Sequence, residues 1–185
     1  MAVLSLMGYL SSKAIIQTSA GTEMSQCLSV AMGSIEMSLS NNRMVAETMA
    51  RGVEAVQRQA VKGEQTASDW DAAAYQEILT SFVGSNPETF GGGIWFEPYQ
   101  YRPEQRYFSP YCMRQNGAVT YVDNYSLGEG VYYTDQDWYT NAANTTQKSV
   151  WSAPYYDEFA QISMVTSSAP IYDETGRFLG VATAD

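Results

Sequence analysis

Three short segments hold the residues best suited to chemistry: Asp137-Trp138-Tyr139, Pro154-Tyr155-Tyr156-Asp157 and Gly180-Val181-Ala182-Thr183-Ala184-Asp185. They string aromatic rings and carboxylates along strand-like stretches of a chain with no histidine and two cysteines. Ring faces attract cations through their quadrupole, and carboxylates add charge-assisted hydrogen bonds, so together they suit a positively charged nitrogen. Rings and acids without a base or a metal-ligand set hold a small molecule more readily than they transform it. The pattern predicts a pocket for a small amine-bearing ligand, with no cofactor and no metal.

Composition narrows the classes further. Without histidine, a self-contained serine or cysteine triad and a histidine-based zinc site are excluded. Paired-carboxylate hydrolysis needs one acid with a raised pKa facing another across a cleft; nothing in the spacing of the 20 Asp and Glu demands that, and no catalytic residue is assigned. The net charge is −10, the pI is near 4.3 and there is no basic stripe, so nucleic acid is not a partner. An acidic surface suits a solvated extracytoplasmic domain and attracts cationic ligands. The 14 tyrosines and 4 tryptophans are a heavy aromatic load, most of it explained by packing. Cys27 and Cys112 fit no metal spacing or disulfide framework and read as unpaired, small apolar residues.

The elements that must position these residues begin with a helix. Residues 2–10 are apolar but much shorter than the ~20 residues of a membrane span, and read as the outer end of one, with Ser11-Ser12-Lys13 marking the exit. From about Ser11 to Lys62 there is no proline, and apolar residues recur at Met24, Leu28, Met32, Ile35 and Leu39, then at Val45, Met49, Val53 and Val56. Steps of three and four define one helical face. A helix of this length wants partners along it: a sheet for one part, a second helix for another. Gly63 suits its C-terminus, and Ser68 with Asp71 resembles a capping box for a second helix from Trp70 to Phe82. After Gly91-Gly92-Gly93 the texture turns strand-like: 94–97, 107–114, 118–123, 162–171 and 178–184. Gln115-Asn116-Gly117 and Asp173-Glu174-Thr175-Gly176 are turn chemistry. The loop from Asn124 to Ala160, with a short helix at Trp138–Ala143, is long enough to be functional. The fold class is α+β, a long N-terminal helix packed on an antiparallel sheet of about five strands. The division is 1–62 for the juxtamembrane start and signalling helix, and 63–185 for the binding subdomain.

Helix, helix, then antiparallel strands ending in Pro170-Ile171-Tyr172-Asp173 and Gly176 to Asp185 resembles a PAS-like Cache domain. The resemblance is to the membrane-distal half of the double Cache sensors of bacterial and archaeal chemoreceptors, histidine kinases and diguanylate cyclases. It covers nearly the whole chain and implies a second, membrane-proximal pouch after Asp185. In the amino-acid receptors of that family, a tryptophan-tyrosine pair is followed by a tyrosine, an aspartate two residues later and an aspartate ending the last strand. Trp138, Tyr139, Tyr155, Asp157 and Asp185 match those positions, which the resemblance assigns to the ligand ammonium. The arginine expected two residues before the tryptophan, which would hold the ligand carboxylate, is Gln136. The tyrosine expected upstream is Val131, beside Tyr132 and Tyr133.

The departure at Gln136 removes a bidentate, permanently charged fork. An amine without a carboxylate should then bind better than a free amino acid. Asp123 is a further candidate acid for a diamine or cyclic amine. Arg114 is a candidate replacement for the missing arginine, which keeps amino acids and organic acids open. The sequence therefore predicts the extracytoplasmic sensor of a membrane-anchored receptor, homodimeric through its long helix. Its output is a kinase, a methyl-accepting chemoreceptor or a cyclase. The rival readings are a Cache domain for an organic acid or other metabolite, a structural dimerisation module with a degenerate pocket, and an enzyme with paired carboxylates.

Overall fold

The structure is a computed structural model that describes residues 2–60, 72–126 and 132–185. Lys62, Gly63, Ser68, Trp70, Asp71 and Val131, invoked above, lie outside the described residues. Helix α1 runs Ala2–Ala60. The chain divides into two compact units, Met1–Ser38 and Leu39–Asp185. In the first unit every described side chain from Ile15 to Met37 is exposed. Met24, Leu28, Met32 and Ile35, at 59–68% exposure, therefore form an apolar stripe left uncovered among the described residues of this unit.

In the second unit the stripe is satisfied. Val45, Ala46, Met49, Ala50 and Val53 turn one face of α1 into the core. Helix α2 (Ala72–Ser85) adds Tyr75, Leu79 and Val83, four residues apart and fully buried. It continues through Gly84 to Ser85, past the expected end at Phe82, and Asn86 Nδ2 closes it by donating to the Phe82 carbonyl at 2.7 Å. Both helices cover one face of an antiparallel sheet at Ile94, Phe96, Cys112, Ala169, Ile171, Leu179, Ala182 and Ala184. The alanines keep that face shallow.

The strands are β1 (Gly91–Phe96), β2 (Tyr111–Gln115), β3 (Ala118–Val122), β4 (Val150–Trp151), β5 (Tyr155–Asp157), β6 (Ile162–Met164), β7 (Ser167–Tyr172) and β8 (Phe178–Ala184). Six of them form one sheet in the order β3-β2-β1-β8-β7-β4, and β5 and β6 form a separate hairpin. The sheet has one strand more than expected because the two-residue β4 adds to the β7 edge. The expected strand 162–171 is two strands. At the break, Ser152 N donates to the Thr166 carbonyl and Thr166 N to Ser152 Oγ, both at 3.0 Å, so the sheet ladder gives way to side-chain pairing. The β2–β3 turn has φ +52° at Asn116 and +81° at Gly117, the paired positive angles of a tight hairpin turn. Helix α3 (Asp137–Ala143) lies on the sheet face opposite α1 and α2 and buries Trp138 and Ala142 against Trp95 and Val181.

Candidate ligand-binding site

Strand alternation sends successive side chains to opposite faces, and that rule builds the site. On β1, Ile94 and Phe96 face the helices, so Trp95 faces α3. On β2, Cys112 joins the helix side, while Tyr111 and Met113 join Trp95. On β8, Ala182 and Ala184 go inward, which leaves Val181, Thr183 and Asp185 on the α3 side. A cavity of about 350 Å³ opens there. The sheet contributes Trp95, Tyr111, Thr183 and Asp185, and the break before β7 contributes Thr166. The long loop contributes Tyr125, Tyr133, Gln136 and Trp138, and the β5–β6 hairpin contributes Tyr155 to Phe159 together with Met164.

The glycine triplet makes room for this wall. A Cβ on Gly91 would collide with the Tyr111 hydroxyl, and one on Gly93 would stand 2.9 Å from the Tyr111 ring and 3.0 Å from Trp95 Nε1. With hydrogens there, Tyr111 lies flat over the strand and aims its hydroxyl at Asp185.

Polar groups converge on that acid. Tyr111 donates to Asp185 Oδ2 at 2.8 Å, and Thr166 Oγ1 donates to Oδ1 at 2.6 Å. The Tyr155 hydroxyl shares a 2.8 Å hydrogen bond with Thr166 Oγ1. Trp95 Nε1 donates to Thr183 Oγ1 at 2.7 Å, which fixes the indole. Its ring centroid is 4.8 Å from that of Trp138, 5.1 Å from Tyr125, and 5.6 Å from both Tyr111 and Tyr133. Asp157 Oδ1 accepts from the Ala160 backbone N–H at 2.6 Å, closing the turn between β5 and β6.

Charge is unbalanced around the cavity. Asp157, Glu158 and Asp185 line it, and among the described residues no Lys or Arg does. Burial raises the Asp185 carboxyl from the ordinary 3.8 to about 6; the Asp157 charge adds to the rise, and the hydrogen bonds from Thr166 and Tyr111 oppose it. Burial, reinforced by the nearby carboxylates, lifts the Tyr111, Tyr125 and Tyr155 hydroxyls well above their usual value, so they act as neutral donors at physiological pH.

Of the sequence candidates, Trp138, Tyr155, Asp157, Asp185, Gln136 and Tyr133 meet at this cavity. Tyr133 gives its ring, because its hydroxyl donates to the Phe96 carbonyl. Three candidates stand elsewhere. Tyr139, one residue on from Trp138, points to another side of α3 and donates to Glu97 Oε2 at 2.7 Å. Asp123 is exposed at the end of β3. Arg114 lies on the opposite face from Tyr111 and Met113, and its guanidinium donates to the carbonyls of Val83, Asn86 and Thr89. A cation at the C-terminal end of α2 complements the helix dipole, which explains that placement. Sequence reasoning missed Trp95, Tyr111, Tyr125, Thr166 and Thr183. Alternation back from Asp185 would have found Thr183; the others depend on cross-strand register. Cys112 is buried beside Thr80 Oγ1 at 3.5 Å, and Cys27 is exposed on α1.

A sheet with helices on one face and an acid- and ring-lined pouch on the other is suited to holding a small molecule against the sheet. Residues 75–185 match the model of the methyl-accepting chemotaxis protein-like, first PDC sensor domain, and the chain belongs to that family. The extracellular domain assigned to the histidine kinase soHK1S-Z6 is similar at 26% identity and a TM-score of 0.55, over 85% of this chain and 62% of that one. The periplasmic sensory domain of the Campylobacter jejuni chemoreceptor Tlp1 shares the fold at 10% identity and a TM-score of 0.55, over 83% and 54% of the two chains. Methyl-accepting chemotaxis protein X shares it at 19% identity and a TM-score of 0.52, over 84% and 63%. The chain thus spans less than two thirds of the length of each. No curated protein matches it. The family is a sensor module of receptors rather than a catalyst, and the similar domains are extracellular or periplasmic. No described helix is long and apolar enough to cross a membrane.

Proposed function

We propose that this sensor domain serves a membrane-anchored receptor and takes a small ligand with a cationic nitrogen, reporting its arrival through α1. One observation carries the ligand class: three carboxylates and a cluster of rings line the cavity, with no cationic side chain among the described residues to balance them. An ammonium supplies the missing charge, lies against Trp95, Trp138 and Tyr125, and makes charge-assisted bonds to Asp157 and Asp185. A ligand carboxylate would face those same acids, with only the neutral amide of Gln136 for compensation. Gln136 does line the cavity, which keeps α-amino acids as a weaker second class. Closure of the β5–β6 hairpin and α3 on the ligand would favour one of two packings of the sheet against α1.

A thermal-shift panel tests the class. Butylammonium, benzylammonium and tetramethylammonium should raise Tm in proportion to the logarithm of their concentration. Leucine and phenylalanine should do so less, and pentanoate and phenylacetate not at all. Hits confined to the carboxylates would overturn the reading, and no hit in any class would favour a structural module with an unused pocket.

A further inference from the structure

The cavity holds a carboxylate whose surroundings are built for two protonation states. Asp185 sits at the end of β8 with each oxygen already taken by a neutral hydroxyl, Tyr111 on Oδ2 and Thr166 on Oδ1. Hydroxyls can donate or accept, so the same pair fits the carboxylate and, with one hydroxyl turned, the neutral acid. The titratable neighbours that face it are Tyr111 from β2, Tyr125 from the turn after β3, and Tyr155 and Asp157 from β5. From the break before β7 comes the hydroxyl of Thr166, and from the start of β1 and the residue before it the backbone of Gly91 and Phe90, paired with that of Asp185 itself. Glu158 adds a third acid to the lining. Arg114, a cation on the neighbouring strand, is turned to the other face of the sheet and held by three carbonyls. Nothing positive in this set stabilises an ionised Asp185 while the cavity is empty. Burial and the Asp157 charge both act against ionisation.

We infer that occupation of the cavity is an exchange of ions: Asp185 carries a proton in the empty domain at mildly acidic pH and releases it to solvent when a cation enters. The receptor would then respond to its amine at lower concentration near neutral pH than in mildly acidic surroundings, reading two conditions at one site. This rests on the cationic-ligand reading above and adds the proton to it. The ionised fraction of Asp185 scales the apparent affinity, as for any binding-competent state that is partly populated. With ionisation centred near pH 6, affinity should be flat above about pH 7 and fall about tenfold between pH 7.5 and pH 5.

Two measurements on the domain test it. The first follows the carboxyl ¹³C shifts of the empty protein with pH, Asp185→Asn assigning the signal. A midpoint near 6 is expected. A midpoint in the ordinary aspartate range, about 4, overturns the proposal whatever the ligand is. The second is calorimetry with butylammonium, which stays cationic throughout, at pH 5 and 7.5 and in two buffers of different ionisation enthalpy at pH 6. Tighter binding at pH 7.5 and proton release at pH 6 are expected. Equal affinities with no proton release overturn the exchange and leave the amine reading standing. No binding at either pH overturns both.

Discussion

Asp157 and Asp185 divide the work between fold and ligand differently. Asp157 spends one oxygen on the Ala160 N–H that closes its own turn, whereas Asp185 meets only hydroxyls. Asn keeps an acceptor at both places and removes the charge. Each of Asp157→Asn and Asp185→Asn should therefore weaken butylammonium binding by roughly 1–3 kcal/mol, read by calorimetry at pH 7.5. A variant that binds as the parent does would remove that acid from the site. Stability should separate the two. The folded chain holds the Asp185 proton more tightly than the unfolded chain does, because the folded pKa is raised to about 6. Its contribution is then full below about pH 4 and is lost as pH rises through 6. Asp185→Asn removes that loss, so in urea titrations it should exceed the parent by about 1–2 kcal/mol at pH 7.5, after discounting for partial exposure, and match it at pH 4. An equal deficit at both pH values would make the carboxylate structural.

At the scale of elements, β1 decides where the rings go. Gly91 and Gly93 lie under the Tyr111 ring, so Gly91→Ala must push that ring toward the cavity and break its bond to Asp185. Overpacking of this kind costs about 1–3 kcal/mol. Gly117→Ala is the matched control: it strains a positive φ in the β2–β3 turn but meets no atom within 4 Å, far from the cavity. Both should lower Tm, and only Gly91→Ala should also lose ligand affinity, by about tenfold or more. Equal affinity in the two variants would separate the glycine strand from the site. The same elements show what the sequence can carry. Helix α3, the Asn116-Gly117 hairpin and β8 are legible because their signals are local: ring and acid spacing, turn chemistry, alternation. The α3 face of Trp95 and Tyr111 becomes visible only once β1 is placed between β2 and β8, and that register is long-range. Arg114 misled for the same reason, since its strand was legible but its face was not. Thr166 was hidden inside what read as one continuous strand.

At the scale of the whole molecule, α1 carries a pattern that the chain uses only in part. Val45, Met49 and Val53 continue the apolar spacing of the upstream stripe and are buried in the second unit. Met24, Leu28, Met32 and Ile35 have the same spacing and remain exposed. Contiguous apolar surface on a helix is best covered by another helix, and a second copy presents an identical stripe in parallel register. We propose that two copies pair there, which would also let a shift at the sheet pass into a pair of signalling helices. Charge introduced at the stripe should undo the pairing without touching the pouch. Sedimentation over a range of concentrations should show a monomer–dimer equilibrium for the parent and a monomer for the Leu28→Glu, Ile35→Glu variant. The variant should keep the parent's butylammonium affinity, because neither residue belongs to the second unit. A strictly monomeric parent, or a variant that pairs equally well, would reject this face as the contact.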